Sequence, residues 1–192
     1  MPKTPSELAE ELSELPASAI AMSIRDETYF DAVRGIVDMF ASKKDLNVVY
    51  ISATIPSNSI IDVLKILEID MSHINFVDCV SQSMMSGSKR SENVHQVESP
   101  TMLENIMLKV EYLMKKNTKR NSVVLLDSIN ALAIHNSVKI LSEFVHILIN
   151  NLRAKSAYII IFSHEGYSSE EISNMMSFVC DLNMSMKKDG EK

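Results

Sequence analysis

Asp127 and Ser128 close the apolar run Ser122-Val123-Val124-Leu125-Leu126, and no other residues in this chain are better placed to do chemistry. An unbroken apolar run that ends in a carboxylate reads as a central parallel strand. In open α/β sheets, ligands sit at that end of the strands. A carboxylate there can help hold the magnesium ion of a bound nucleotide. The plainer reading is a rim acid that hydrogen-bonds to its neighbours, with Ser52 and Ser163 as candidates at neighbouring strand ends. The element that would grip phosphate beside such an acid is missing. No Gly-x-x-x-x-Gly-Lys-Ser/Thr stretch occurs. The four glycines, Gly35, Gly87, Gly166 and Gly190, are too scattered to form a glycine-rich loop.

Other residues invite binding rather than catalysis. Residues 81–93 are polar, carry Gly87, Lys89 and Arg90, and read as a loop. Met84 and Met85 stand in this loop, and soft, flexible side chains suit an adaptable protein-binding surface. Met84, Met85, Lys89 and Arg90 are therefore the candidate partner-contact residues. The Met175-Met176 pair reads as core filling. His164-Glu165 ends an apolar run, and Gly166 supplies a turn. Cys79 and Cys180 lie in apolar runs and read as reduced core thiols, without metal-ligand spacing. The five tyrosines are scattered and suggest no base-stacking platform.

The positioning elements are read from periodicity. Thr4-Pro5-Ser6-Glu7 has the form of a capping box for a helix over 5–14. Apolar strands are predicted at 19–24, 48–53, 74–80, 122–128, 157–163 and 178–186. Helices are predicted at 27–43, from Pro56 through Leu67, from Ser99-Pro100 through Lys116, over 137–153 and near 168–176. Strand and helix alternate, which implies a parallel sheet covered by helices on both faces. The chain of 192 residues is long enough for one full hydrophobic core. The formal net charge of −6 argues against a free-standing nucleic-acid binder. No apolar stretch is long enough to span a bilayer, and the acidic N-terminus is unlike a secretory signal, so a cytoplasmic protein is expected.

Taken in order, several of these segments resemble the RecA-like ATPase domain of the KaiC family, an archaeal and bacterial group. Asn47 to Ser52 is similar to the family's second core strand. As in the family, it leads to a proline, Pro56, and to a helix with Ile60-Ile61 and Leu67-Glu68-Ile69-Asp70. Val123 to Ser128 with Ala131-Leu132 resembles the Walker B strand, Ile159 to Glu165 the next core strand, and Val179 to Met186 the terminal one. Leu15-Pro16 precedes the first strand much as a proline does in the family. The resemblance covers residues 15–187, with 1–15 as a helical extension and 187–192 as a polar tail of one RecA-like domain. It implies a three-layer sandwich with a mostly parallel sheet. The 122–128 strand would lie between 48–53 and 157–163, with 19–24 beyond the latter. It also implies that Asp127 and Ser128 are a vestigial nucleotide-binding pair.

The departures from the family shape the expected function. Where the family carries its glycine-rich loop, this chain has Arg25-Asp26-Glu27-Thr28-Tyr29, with two carboxylates and one cation. Where the family carries water-activating glutamates, it has Ala53-Thr54-Ile55. The expectation is a RecA/KaiC-like domain without catalysis or cofactor, acting as a regulatory or adaptor protein. Its partner would be a protein, a related active ATPase or a second copy. An ATPase with an atypical phosphate site and an accessory factor in DNA recombination or repair stand as the alternatives.

Overall fold

The computed structural model describes residues 1–81, 92–117 and 119–187. Among these, seven strands form one sheet, every pair of neighbours running parallel. The strands are β1 (Ala19–Ile24), β2 (Asn47–Ser52), β3 (Ile74–Asp78), β4 (Val94–Gln96), β5 (Ser122–Asp127), β6 (Tyr158–His164) and β7 (Leu182–Ser185). Their order across the sheet is β4-β3-β2-β5-β6-β1-β7. The expected placement of β5 between β2 and β6, with β1 beyond β6, is what the structure has.

The helices are α1 (Pro5–Glu14), α2 (Tyr29–Arg34), α3 (Ala41–Lys43), α4 (Ser57–Ile66), α5 (Leu103–Lys116), α6 (Ile129–Ala133), α7 (Val138–Arg153) and α8 (Glu170–Val179). Each central strand is apolar on both sides because each faces a helical layer. Val49, Ile51, Val124, Leu126, Ile159 and Ile161 point into the layer of α5, α6, α7 and α8. Val48, Tyr50, Val123, Leu125, Ile160 and Phe162 point into the layer of α1, α2 and α4. The capping box forms as predicted. The Glu7 N–H reaches the Thr4 hydroxyl at 3.2 Å, and the Thr4 N–H reaches the Glu7 carboxylate at 2.8 Å.

Several local expectations are corrected. Residues 27–43 are not one helix: a 3-10 turn at Asp26–Thr28 leads into α2, then a π-helical stretch at Gly35–Phe40, then α3. The strand expected at 178–186 is only Leu182–Ser185, because α8 runs on to Val179. Met175, Met176 and Val179 recur at helical spacing and are buried, whereas Phe178 is 87% exposed, so tertiary packing sorted an ambiguous apolar run. β3 stops at Asp78, and α5 starts at Leu103, after a turn through Ser99 and Thr101. β4 and α6 were not foreseen, since three and five residues carry too little periodicity.

Gly35 is required by contact. A Cβ there would lie 2.9 Å from the Pro5 carbonyl oxygen and 3.1 Å from Leu8 Cδ2. Alanine is the better helix former, yet α1 seats directly on this position. Gly35→Ala is expected to lower unfolding free energy by about 1–2 kcal/mol, measured by urea denaturation, since overpacking outweighs propensity. An unchanged or raised midpoint would show that α1 shifts freely.

Candidate functional site

The C-terminal rim of the sheet carries the polar residues. Asp78, Ser52 and Asp127 end β3, β2 and β5, and Ser52 is in register with both acids. All three are buried. Two carboxylates withdrawn from water need donors, and each finds a different set.

Asp78 is held by its own surroundings. Its oxygens accept from the Ser57 N–H at 2.9 Å and hydroxyl at 2.5 Å, from the Val80 and Ser81 N–H groups at 2.9 Å, and from the Ser81 hydroxyl at 2.6 Å. Burial pushes its pKa up, but these hydrogen bonds outweigh burial and hold the carboxyl below its ordinary value. This fixes the start of α4.

Asp127 is held by distant residues. Its Oδ2 accepts from the Tyr50 hydroxyl at 2.6 Å and from the Tyr29 hydroxyl, and the two hydroxyls lie 3.0 Å apart. Its Oδ1 accepts from the Thr54 hydroxyl at 3.1 Å. Its backbone carbonyl accepts from the Ala53 and Thr54 N–H groups. The peptide bond to Ser128 is cis. Burial dominates here and raises the carboxyl pKa above its ordinary value, against the lowering effect of the three hydroxyl bonds. Burial and the adjoining Asp127 charge also raise both tyrosines well above their usual range.

The expected partners of Asp127 are therefore corrected. Ser52 Oγ makes no hydrogen bond, and Ser163 pairs with Ser168 at 2.5 Å. Tyr29 and Tyr50, read in sequence as two of five scattered tyrosines, are the rim residues that the sequence did not disclose. Tyr50 sits two residues before the end of β2, on the side its register gives it. Tyr29 arrives only because the segment after β1 is short. No local spacing pattern relates either residue to Asp127.

That segment is tightly wound. The Thr28 N–H donates to the Arg25 carbonyl at 3.0 Å, and the Arg25 N–H to the Thr28 hydroxyl at 3.2 Å. Asp26 and Glu27 are exposed at its tip. Arg25, the one cation expected there, is paired with Glu165 at 2.7 Å and lies 3.7 Å from Glu27. Glu165 also meets Lys187 at 3.4 Å, and chiefly through Arg25 its carboxyl is held below its ordinary value.

His164 closes the rim as the last residue of β6. Its ring stacks on Tyr29 at 6.0 Å, its Nδ1 lies 3.4 Å from Asp26, and its Nε2 is buried without a partner. Gly166 turns the chain with φ +84. A cleft of 570 Å³ opens between these loops, lined by Thr54, Val80, Ser128, Ala131, Ile134, His164 and Tyr167 among others. Ser128 faces it, caps α6 by accepting from the Ala131 N–H at 3.4 Å, and has its hydroxyl 3.2 Å from that of Thr54.

Cys79 is buried and Cys180 half-buried, both free thiols, and burial pushes each up to about 12. The proposed contact residues Met84, Met85, Lys89 and Arg90 lie outside the described residues. No cluster of metal ligands occurs among the described residues, and none of their helices is long and apolar enough to cross a membrane.

The strand order and the helical layers give a RecA-like α/β fold. Solved structures with the same fold include a KaiC-like protein from the hyperthermophilic archaeon Pyrococcus horikoshii OT3. The TM-score is 0.60 at 11% identity, over 92% of this chain and 75% of that one. A structural-study protein from the same organism matches with TM-score 0.61 at 10% identity, over 95% and 89%. The ATPase domain of a further protein matches with TM-score 0.62 at 11% identity, over 94% and 74%. No family model matches the sequence, and no curated protein matches it.

The buried Asp127 and its three hydroxyl donors yield two expectations. Tyr50→Phe removes one donor from a buried carboxylate and is expected to cost about 1–3 kcal/mol in urea unfolding. The raised pKa of Asp127 makes folding favour its protonated form. Its contribution is thus fully present below the unfolded value near 3.8 and is lost as pH rises through the higher folded value. Asp127→Asn should remove this decline, so the stability gap between variant and native protein should change with pH across that window. A constant gap would show that Asp127 titrates alike in both states.

Proposed function

We propose that this chain is a RecA-like domain that does not hydrolyse nucleotide and works as a regulatory or adaptor protein through contacts with other proteins. The observation that carries the reading is the state of Asp127. An acid that helps hold a nucleotide's magnesium must offer an oxygen to the ion. Here both oxygens accept from hydroxyls, and the residue is fully buried.

The fit to a magnesium nucleotide fails in further respects. The Arg25 and Thr28 N–H groups bond within their own turn instead of converging on an anion. The turn presents Asp26 and Glu27, whose charges repel phosphate. Its one cation is engaged by Glu165. The stretch after β2 offers Ala53, Thr54 and Ile55, none of which can activate water as a base.

A role in contacts accords with the surface. Ile134 and Tyr167, at the mouth of the cleft, are 78% and 71% exposed, and Phe178 on α8 is more exposed still. Large apolar side chains grouped at a cleft mark interaction surfaces more often than scattered ones do.

Calorimetric titration of the protein with ATP and magnesium is expected to give no binding tighter than about 1 mM, or −4 kcal/mol. Phosphate release should not exceed the buffer rate. Saturable micromolar binding would overturn the reading. Asp127→Ala should lower the melting temperature and leave any residual phosphate release unchanged.

A further inference from the structure

The two edges of the sheet are finished differently. At β7 the chain covers its own edge: Pro2 bridges to Lys187 in antiparallel sense, and the Lys3 N–H donates to the Met186 carbonyl at 2.6 Å. At β4 nothing among the described residues does this. The Phe76 N–H donates to the Asn93 carbonyl and the Val97 N–H to the Asp78 carbonyl. Residues 93, 95 and 97 therefore face β3, and the N–H and C=O groups of Val94 and Gln96 face out of the sheet. The strand Val94-His95-Gln96 carries neither proline nor a full charge, the usual blocks against edge pairing.

The neighbouring helix offers matching apolar surface. Leu108 and Tyr112 stand one turn apart on α5, 64% and 52% exposed. The His95 ring meets Tyr112 at 5.9 Å, so this face of the helix adjoins β4. A groove of 610 Å³ runs between strand and helix. Charge is divided along it. Glu98 and Glu104 lie where the strand passes into the helix, and Lys115 and Lys116 lie at the helix's other end. Leu108 and Tyr112 flank the midpoint between these ends.

We propose that β4 and α5 form the face of a two-fold symmetric homodimer. A two-fold axis normal to the sheet sets β4 antiparallel to its copy, so that Val94 and Gln96 exchange hydrogen bonds. The same axis sets α5 antiparallel to its copy. Leu108 then meets the copy's Tyr112, and the acidic end of each helix meets the basic end of the other. Such self-complementarity is what an isologous interface demands. The proposal deepens the reading of a domain that works through protein contacts, since it names a second copy as one partner.

Sedimentation equilibrium of the full chain tests it. The expected result is a dimer of twice 21.5 kDa that dissociates on dilution. Gln96→Pro removes only an outward N–H and should yield a monomer with an unchanged melting temperature. If that variant unfolds, Leu108→Glu on the exposed helix face carries the same expectation. Glu104→Lys and Lys116→Glu should each weaken association by about tenfold, and the double variant should restore it, because both cross-pairs are then reversed together. A chain that is monomeric at every concentration overturns the proposal and leaves the edge to another occupant. A dimer that survives Gln96→Pro and Leu108→Glu, or charge reversals without rescue, also overturns it. These results are independent of nucleotide titration. A monomer that binds no ATP removes the dimer alone, and a dimer that binds ATP tightly removes the non-hydrolysing reading alone.

Discussion

A carboxylate excluded from water at the rim of a parallel sheet must be given donors, and at Asp127 those donors come from three separate pieces of chain. Tyr29 begins α2, Tyr50 lies within β2, and Thr54 comes just after β2. Because burial of the charge is costly, the three hydroxyls cannot leave without penalty, and the elements carrying them are drawn together. The short segment after β1 is held down on the rim by Tyr29, and the loop after β2 is held by Thr54. Asp78 solves the same problem locally and falls below its ordinary pKa, whereas Asp127 rises above it. The contrast arises from the deeper burial of Asp127 together with donor number: Asp78 collects five bonds, three of them from backbone N–H groups, and Asp127 three hydroxyl bonds.

This arrangement separates fold from chemistry. Sequence identities of 10–11% accompany the same fold in the neighbouring structures. The fold requires apolar strands, helices of the right length and right-handed crossovers. None of these depends on which side chain stands on the rim. A tyrosine pair can therefore occupy the space above Asp127 while the scaffold beneath stays intact. With the rim closed by hydroxyls and carboxylates, the exposed features among the described residues include the apolar cleft mouth at Ile134 and Tyr167, Phe178 on α8, and the edge strand β4. The first is shaped by loops after β5 and β6. The last is a consequence of topology: a sheet that does not close into a barrel has two edges, and among the described residues the chain covers only the β7 edge, through its N-terminal segment.

Uninterrupted apolar runs separated by amphipathic helices admit few sheet arrangements. The order of β2, β5, β6 and β1 came from the family resemblance, whereas the layered α/β class and the position of most strands were legible in the amino acids alone. So were Asp127, as the acid at the end of a central strand, and Arg25-Asp26-Glu27, as a segment unlike a phosphate loop. What Asp127 touches was not legible. Tyr29 and Tyr50 are 98 and 77 residues away from it in the chain, and no periodicity links them to it. Nor was the point where the apolar run at 175–186 changes from helix to strand. There Met175, Met176 and Val179 satisfy a helical stripe and a strand equally well until α7 and β1 supply the surface they pack against. Local pattern encodes which faces of an element are apolar. Which polar groups meet at the rim is settled only when the crossovers bring distant strand ends into register, and that is a property of the folded chain.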